Sequence, residues 1–242
     1  MTELSVTNCT VAFGGLRAID DLSVTIPEGS ITALIGPNGS GKTTFCNMVS
    51  GYIPPSKGEI RLGGEAVTAL RTDRLVSRGL ARTFQVPRVP KELTIAEVVG
   101  VPLRYSRSSI SLPKGVSDAR DLARFCGLNQ PLDTECSQLS ISDLRRLEIA
   151  RALACRPKVV LLDEAMAGLS MQDTEAVMGL VRQVHAAGIT IVVIEHVMKI
   201  IAKLCQHAIV LSSGRLLAKG EPSAVLADPA VREAYLGKGF SL

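Results

Sequence analysis

The segment Gly36-Pro37-Asn38-Gly39-Ser40-Gly41-Lys42-Thr43 fits the spacing G-x-x-x-x-G-K-[ST] in full. Its glycines let the backbone curl so that successive N–H groups converge on phosphate oxygens. The helix expected from Lys42 adds the positive end of its dipole beneath them. Lys42 reaches terminal phosphates as a point charge, the Thr43 hydroxyl suits Mg²⁺, and Thr44 follows in the same cradle. Background composition produces such a match about once per hundred chains, and the strand–loop–helix setting narrows it further. These residue types at this spacing point to a nucleoside triphosphate.

A second group of residues complements the first. Val159-Val160-Leu161-Leu162 reads as a buried strand that delivers Asp163 and Glu164 at its carboxyl end. Asp163 suits a Mg²⁺ contact, and Glu164 suits the general base that polarises an attacking water. His196 follows the apolar run Ile189 to Ile194 and can donate a hydrogen bond to a phosphate as charge develops. Gln85 closes the strand-like piece Leu80 to Phe84, where it can touch Mg²⁺ or the water. Catalytic roles therefore fall to Glu164, His196, Gln85 and Lys42, and metal contacts to Thr43, Gln85 and Asp163.

The elements that must position these groups follow from periodicity and punctuation. Leu4 to Phe13, Leu22 to Ile26 and Ile31 to Ile35 read as strands, separated by Gly14-Gly15 and Pro27-Glu28-Gly29. A helix runs from about Lys42 to Ser50, and a further strand-like piece lies near Gly58 to Leu62. Thr94 with Glu97 forms a capping-box pattern that opens a short helix, expected to end before Pro102. Arg104 to Gly115 reads as a loop, with helices expected over Ser117 to Gly127 and Ser142 to Cys155. From Lys158 the pattern alternates: strands Val159 to Leu162, Ile189 to Ile194 and Ala208 to Leu211, with helices Asp173 to Ala187 and His196 to Leu204. Alternation of this kind predicts an α/β sheet with its ligand at the carboxyl ends of the strands.

Composition excludes several classes. The 242 residues are 46% hydrophobic and 21% charged, ordinary values for a folded chain. Aromatic residues make up 3% and Trp is absent, which argues against stacking platforms for single-stranded nucleic acid. A net charge of +4 reads as solvated surface, so no nucleic-acid partner is expected. The six cysteines have no C-x-x-C or metal-type spacing. No charged-then-apolar leader is apparent, so the thiols are expected to stay reduced, and no apolar stretch has the ~18 residues of a membrane span.

The phosphate loop, Gln85, Leu139-Ser140, Val159 to Glu164, Ala167-Gly168-Leu169 and His196 stand in an order that resembles the nucleotide-binding subunit of ATP-binding-cassette (ABC) transporters. The likeness spans nearly the whole chain. More narrowly, Ala81-Arg82-Thr83-Phe84-Gln85, the run Arg145 to Ala154, Ile194-Glu195-His196 and Glu233-Ala234-Tyr235-Leu236-Gly237 look like the first ATPase of branched-chain amino-acid importers; urea and lipid-system ATPases are similar. The resemblance implies a P-loop (RecA-like), mostly parallel sheet with an N-terminal antiparallel β-subdomain and a helical insert. The core would comprise residues 1–86 and 157–242, and the helical subdomain residues 87–156. It further implies ATP and Mg²⁺ as cofactors and an ATP sandwich dimer in which Ser140 faces the partner's γ-phosphate. Phe13 would stack on adenine, although Cys9, Val11 and Phe13 could equally form one buried strand face. Permease subunits, a second ATP-binding subunit and, indirectly, a solute receptor are the implied partners, at the cytoplasmic face of the membrane.

Three departures from the family pattern stand out. The usual L-S-x-G-Q reads Leu139-Ser140-Ile141-Ser142-Asp143, Ala165 replaces a Pro, and Ser170 replaces Asp or Asn. A carboxylate at Asp143, ~6 Å from a phosphate charge at an effective dielectric of ~20, would cost about 3 kcal/mol. All these changes serve a partner's site rather than this chain's own, which points to an asymmetric heterodimer; the alternative is a homodimer that tolerates them. A DNA-repair or ribosomal cassette ATPase is disfavoured by the single cassette and short insert. A non-hydrolysing regulator is disfavoured by the presence of Glu164 and His196.

Overall fold

Period-two alternation builds the first sheet of the computed structural model, which describes residues 4–106, 108 and 110–236. Strand β1 (Leu4–Phe13) pairs antiparallel with β2 (Leu16–Ile26), placing Leu4 opposite Ile26, and the two strands bury Leu4, Val6, Leu22 and Val24. Strand β3 (Ile31–Ile35) is buried at all five positions and leads through the phosphate loop into α1 (Lys42–Val49). Strand β4 (Lys57–Leu62) adds antiparallel to β1, with β5 (Glu65–Ala66) at the edge, and α2 (Thr72–Ser77) follows.

The described chain forms two compact units that divide after Leu75 and again before Thr190. In the second unit β6 (Leu80–Arg82) precedes three helices, α3 (Ile95–Tyr105), α4 (Ala119–Phe125) and α5 (Ile141–Ala154). Strand β7 (Val159–Asp163) and helix α6 (Met171–Ala186) complete it. β6 lies parallel to β7, with Leu80 opposite Val159, and α3 packs against both α4 and α5.

The first unit resumes with β8 (Thr190–Ile194), α7 (Met198–Leu204), β9 (His207–Ser212), β10 (Arg215–Gly220), α8 (Pro222–Ala227) and α9 (Pro229–Leu236). There β3 lies between β8 and β9, parallel to both, while β10 runs antiparallel beside β9. Parallel strands, a separate antiparallel sheet and intervening helices make this an α/β P-loop fold.

Several expectations from the sequence need correction. The helix opened by Thr94 does not end before Pro102; it continues to Tyr105. Pro102 cannot donate to the Val98 carbonyl, but packing of Ile95, Val98 and Val99 outweighs that lost bond. The far end is fastened as well: Ser106 donates its N–H to the Pro102 carbonyl at 2.8 Å and its hydroxyl to the Cys155 carbonyl at 3.0 Å. Strand β2 begins at Leu16 rather than Leu22, because the Gly14-Gly15 turn lets pairing run to the tip, where Phe13 faces Leu16. β6 ends at Arg82, so Phe84 and Gln85 leave the ladder. α7 begins only at Met198, so His196 precedes the helix.

Strand β10 and helices α8 and α9 were not anticipated, although their signals are present. Ser213 and Gly214, at φ 48° and 77°, turn the chain between β9 and β10. The Glu221 carboxylate accepts from the Ala224 N–H ahead of Pro222 in the first turn of α8. The first three residues and Gly237, used in the sequence comparison above, lie outside the described residues.

No disulfide joins the cysteines, and Cys155 alone among the six is not buried. Burial raises the pKa of the Cys205 thiol to about 12, helped by the nearby charge of Glu195, so it stays protonated.

Candidate functional site

The first unit carries the phosphate loop at the carboxyl end of β3. Gly36, Gly39 and Gly41 have φ of 150°, 77° and 105°, a region that side chains disfavour. At Gly36 an added Cβ would also stand 2.2 Å from the Leu211 carbonyl oxygen, so the loop admits no larger residue there. Helix α1 starts behind Gly41 with no side-chain cap. Its first backbone donor to find an acceptor one turn back is the Phe45 N–H, which reaches the Gly41 carbonyl at 2.8 Å. The Thr43 and Thr44 amides before it are therefore available to an anion.

Two further features fit a polyphosphate. Lys42 Nζ folds back to donate to the carbonyls of Gly36 at 2.7 Å and Pro37 at 3.0 Å, holding a cation over the loop. The buried Ser40 Oγ has no hydrogen-bond partner among the described residues. Thr43 is exposed and Thr44 half-buried at the start of α1. On the neighbouring strand β8, Leu34 of β3 faces Ile194, so His196 leaves the same edge as the loop, and it is exposed. Phe13 is 51% exposed, whereas Cys9 and Val11 are buried. The shared buried face therefore ends before Phe13.

The second unit gathers the acidic pair. Asp163, 7% exposed at the end of β7, accepts from Arg82 Nη2 at 2.7 Å. Both side chains of that ion pair are nearly water-free, at 6% and 10% exposure. Thr83 binds β7 twice: its N–H donates to the Leu161 carbonyl at 2.9 Å, and its hydroxyl accepts from the Asp163 N–H at 3.2 Å. Glu164 follows at φ 49°, a left-handed conformation rare for a non-glycine residue. Its Oε2 accepts from Gln85 Nε2 at 2.7 Å. The fold thus joins Gln85 and Glu164, 79 residues apart in sequence.

Helix α5 holds the backbone of this Gln85 segment. Arg145 Nη1 donates to the Gln85 carbonyl at 2.6 Å and the Phe84 carbonyl at 3.3 Å. Glu148 Oε1 accepts from the Arg88 N–H at 3.0 Å, and Arg151 Nη1 donates to the Arg88 carbonyl at 2.6 Å. Burial pushes the Glu148 carboxyl above its usual pKa, against the pull of the Arg88 amide and of Arg151 and Arg145. Arg82 and Arg88 both stack on the Phe84 ring, at 5.3 and 4.6 Å from its centroid. Residue-by-residue reasoning missed Arg82, Arg145, Glu148 and Arg151. The spacing of Arg145, Glu148 and Arg151 by threes was the available signal, since it puts all three on one helix face.

Ser140 caps α5: its Oγ accepts from the Asp143 N–H at 3.1 Å and donates to Asp143 Oδ2 at 2.7 Å. Asp143 also accepts from Gln130 Nε2 at 2.8 Å and faces Arg146 at 3.6 Å. Its carboxylate is thus engaged within its own chain, and the repulsion estimated for a bare charge is correspondingly smaller. Ser170 repeats the arrangement at α6, donating to Asp173 Oδ2 at 2.7 Å and accepting the Asp173 N–H at 3.1 Å. That Ser170 hydrogen bond is the main reason the Asp173 pKa lies below its ordinary value. Two of the three departures from the family pattern thus lie in S-x-x-D caps.

Comparison with known proteins finds two family matches. The family described as "ABC transporter" matches residues 19–167, and "Branched-chain amino acid ATP-binding cassette transporter" matches residues 215–241. BraF, the high-affinity branched-chain amino acid transport ATP-binding protein of Pseudomonas aeruginosa, is 32% identical over 97% of this chain and 98% of its own. LptB, the lipopolysaccharide export system ATP-binding protein of Escherichia coli K12, is 31% identical over the full length of both. Among solved structures, a nucleotide-free ATP-binding cassette from an ABC transporter superposes with a TM-score of 0.86 at 28% identity, covering 98% of this chain and all of that one. Another such cassette, in its ADP conformation, gives 0.86 at 30% identity with the same coverage.

The ion pair between Arg82 and Asp163 yields a direct test. Arg82→Met strands a buried carboxylate and should destabilise the fold by about 3–5 kcal/mol, read as a lower urea midpoint. The double variant Arg82→Met with Asp163→Leu should recover much of that loss.

Proposed function

The chain belongs to the ATP-binding-cassette transporter family, whose cassettes hydrolyse ATP to power transport, and from that premise we propose that it energises uptake of branched-chain or other amino acids. The observation that carries this reading is the match of residues 215–241 to the branched-chain amino acid family, in a stretch separate from the general cassette match. A second reading, energising the movement of a lipid-like substrate, is favoured by the full-length similarity to LptB.

In the proposed mechanism the amides and side chains from Gly36 to Thr44 hold the phosphates of ATP, and Lys42 exchanges its two loop carbonyls for phosphate oxygens. Phe13 offers its exposed ring to adenine. Thr43, Gln85 and Asp163 would hold Mg²⁺, which would supply charge neutralisation on the phosphates. Glu164 orients the attacking water and takes its proton, with Gln85 setting the carboxylate's position. His196 donates a hydrogen bond where negative charge grows. Among the described residues no helix is long and apolar enough to cross a membrane, consistent with membrane subunits supplying the path.

Residues 87–156 would act as the helical subdomain that docks on a permease at the cytoplasmic face, with a solute receptor acting upstream. Ser140 would face the ATP of a second ATP-binding subunit. The N1 residues of the two capped helices, Ile141 and Met171, are 62% and 86% exposed, which supports a partner on those loops. The departures from the family pattern at Ser142, Asp143 and Ser170 support a heterodimer, in which this chain's loop is completed by a partner's intact L-S-x-G-Q.

Three outcomes are expected. Vesicles holding the chain with its membrane subunits and receptor should accumulate labelled leucine in an ATP-dependent way; movement of lipopolysaccharide instead would select the second reading. Glu164→Gln should lower turnover about 10²–10⁴-fold in a phosphate-release assay while ATP still binds. The isolated chain should be a poor ATPase whose turnover rises on mixing with the second subunit, whereas full activity alone would remove the asymmetric pairing.

A further inference from the structure

An open cleft of about 680 Å³ lies within the second unit, between α4 and the segment 128–133. That volume falls in the range of small-molecule sites, about 300–1,000 Å³. Arg120 and Arg124 stand one turn apart on the same face of α4, and both line the cleft. Asp133 lines it from the loop. Arg120, Arg124 and Asp133 are exposed, and among the described residues neither Arg120 nor Asp133 enters a side-chain hydrogen bond or ion pair, so the cleft presents charge of both signs to a ligand. Ala123, Leu128 and Leu132 supply apolar lining.

The loop that walls the cleft is anchored at several points. Its Leu132 and Thr134 carbonyls accept the Ala96 and Ile95 N–H groups at the start of α3, at 2.8 and 3.1 Å. Arg146 of α5 donates to the Gly127 carbonyl at 3.2 Å. Gln130, also lining the cleft, donates Nε2–H to Asp143 Oδ2, the same oxygen that receives the Ser140 hydroxyl proton. Its carbonyl oxygen is buried and accepts from no group among the described residues. A hydrogen-bonded path of two side chains thus runs from the cleft to Ser140.

We propose that this cleft binds a free α-amino acid with an apolar side chain, and that its occupancy is passed through Gln130 and Asp143 to Ser140. The arginine pair suits the carboxylate, Asp133 the ammonium, and the leucine-lined surface the side chain. The choice of an amino acid over another small carboxylate rests on the proposed transport of amino acids, whose product accumulates on the side of the membrane where this subunit works. The ATPase would then sense the solute it helps deliver.

Calorimetric titration of the purified full chain with L-leucine, 4-methylpentanoate and 3-methylbutylamine tests the site. Saturable binding of leucine is expected, with each analogue, lacking one charge, at least about tenfold weaker. Arg120→Ala with Arg124→Ala should abolish leucine binding. Asp133→Asn should weaken leucine about tenfold but leave 4-methylpentanoate unchanged. Both variants should keep wild-type ATP affinity and thermal midpoint. Absence of saturable leucine heat, or binding indifferent to these substitutions, would overturn the site. In the assembled complex, added leucine should change turnover with the wild-type chain and not with Asp133→Asn; binding without that change would overturn the path to Ser140. Leucine binding here together with transport of a different solute would sink the transport reading alone, and leucine uptake without binding would sink this site alone.

Discussion

A carboxylate removed almost wholly from water is costly unless a fixed opposite charge stands beside it, and Asp163 has one in Arg82 at 2.7 Å. Much of the second unit is arranged around that constraint. Because β6 lies parallel to β7, Arg82 and Asp163 end neighbouring strands at one edge, and Thr83 locks the two ends together with two hydrogen bonds. The chain then turns out of the ladder, carrying Gln85 to Glu164. Glu164 itself holds a left-handed backbone conformation that its own sequence would not choose. Removing the ion pair would loosen the strand end on which both acidic residues depend.

The phosphate loop of the first unit meets the opposite electrostatic problem. It is a concentration of backbone N–H groups, uncapped by any side chain, beneath a lysine that satisfies itself on the loop's own carbonyls. Such a loop is prepared for an anion by geometry alone. The glycines are required not for mobility but because positive φ, and at Gly36 a carbonyl in the space of a Cβ, leave no room for anything else.

Helix α5 links local capping to the wider site. One end is set by Ser140 and Asp143, and the face beyond it presents Arg145, Glu148 and Arg151 to the backbone from Phe84 to Arg88. A shift of α5 would therefore be felt at Gln85 without any change of sequence near it. The unusual Asp143 and Ser170 gain a plain local purpose as parts of helix caps, separate from any effect on a partner.

The sequence alone determined what depends on short-range stereochemistry: the phosphate loop, the buried strands ending in Asp163 and at Ile194, the Thr94 capping box, and the α/β alternation. Glycine, β-branched runs and capping residues act over a few neighbours, so they are readable in order along the chain. Tertiary structure decided what depends on residues far apart. It carried α3 through Pro102 because packing against α4 and α5 outweighed one missing hydrogen bond. It released Phe13 from the buried face of β1 and brought Arg82 to Asp163 across 81 positions and Arg145 to Gln85 across 60. Nothing local in an arginine says whether it will be solvated or will neutralise a buried acid; that is fixed only when the fold removes water from around it.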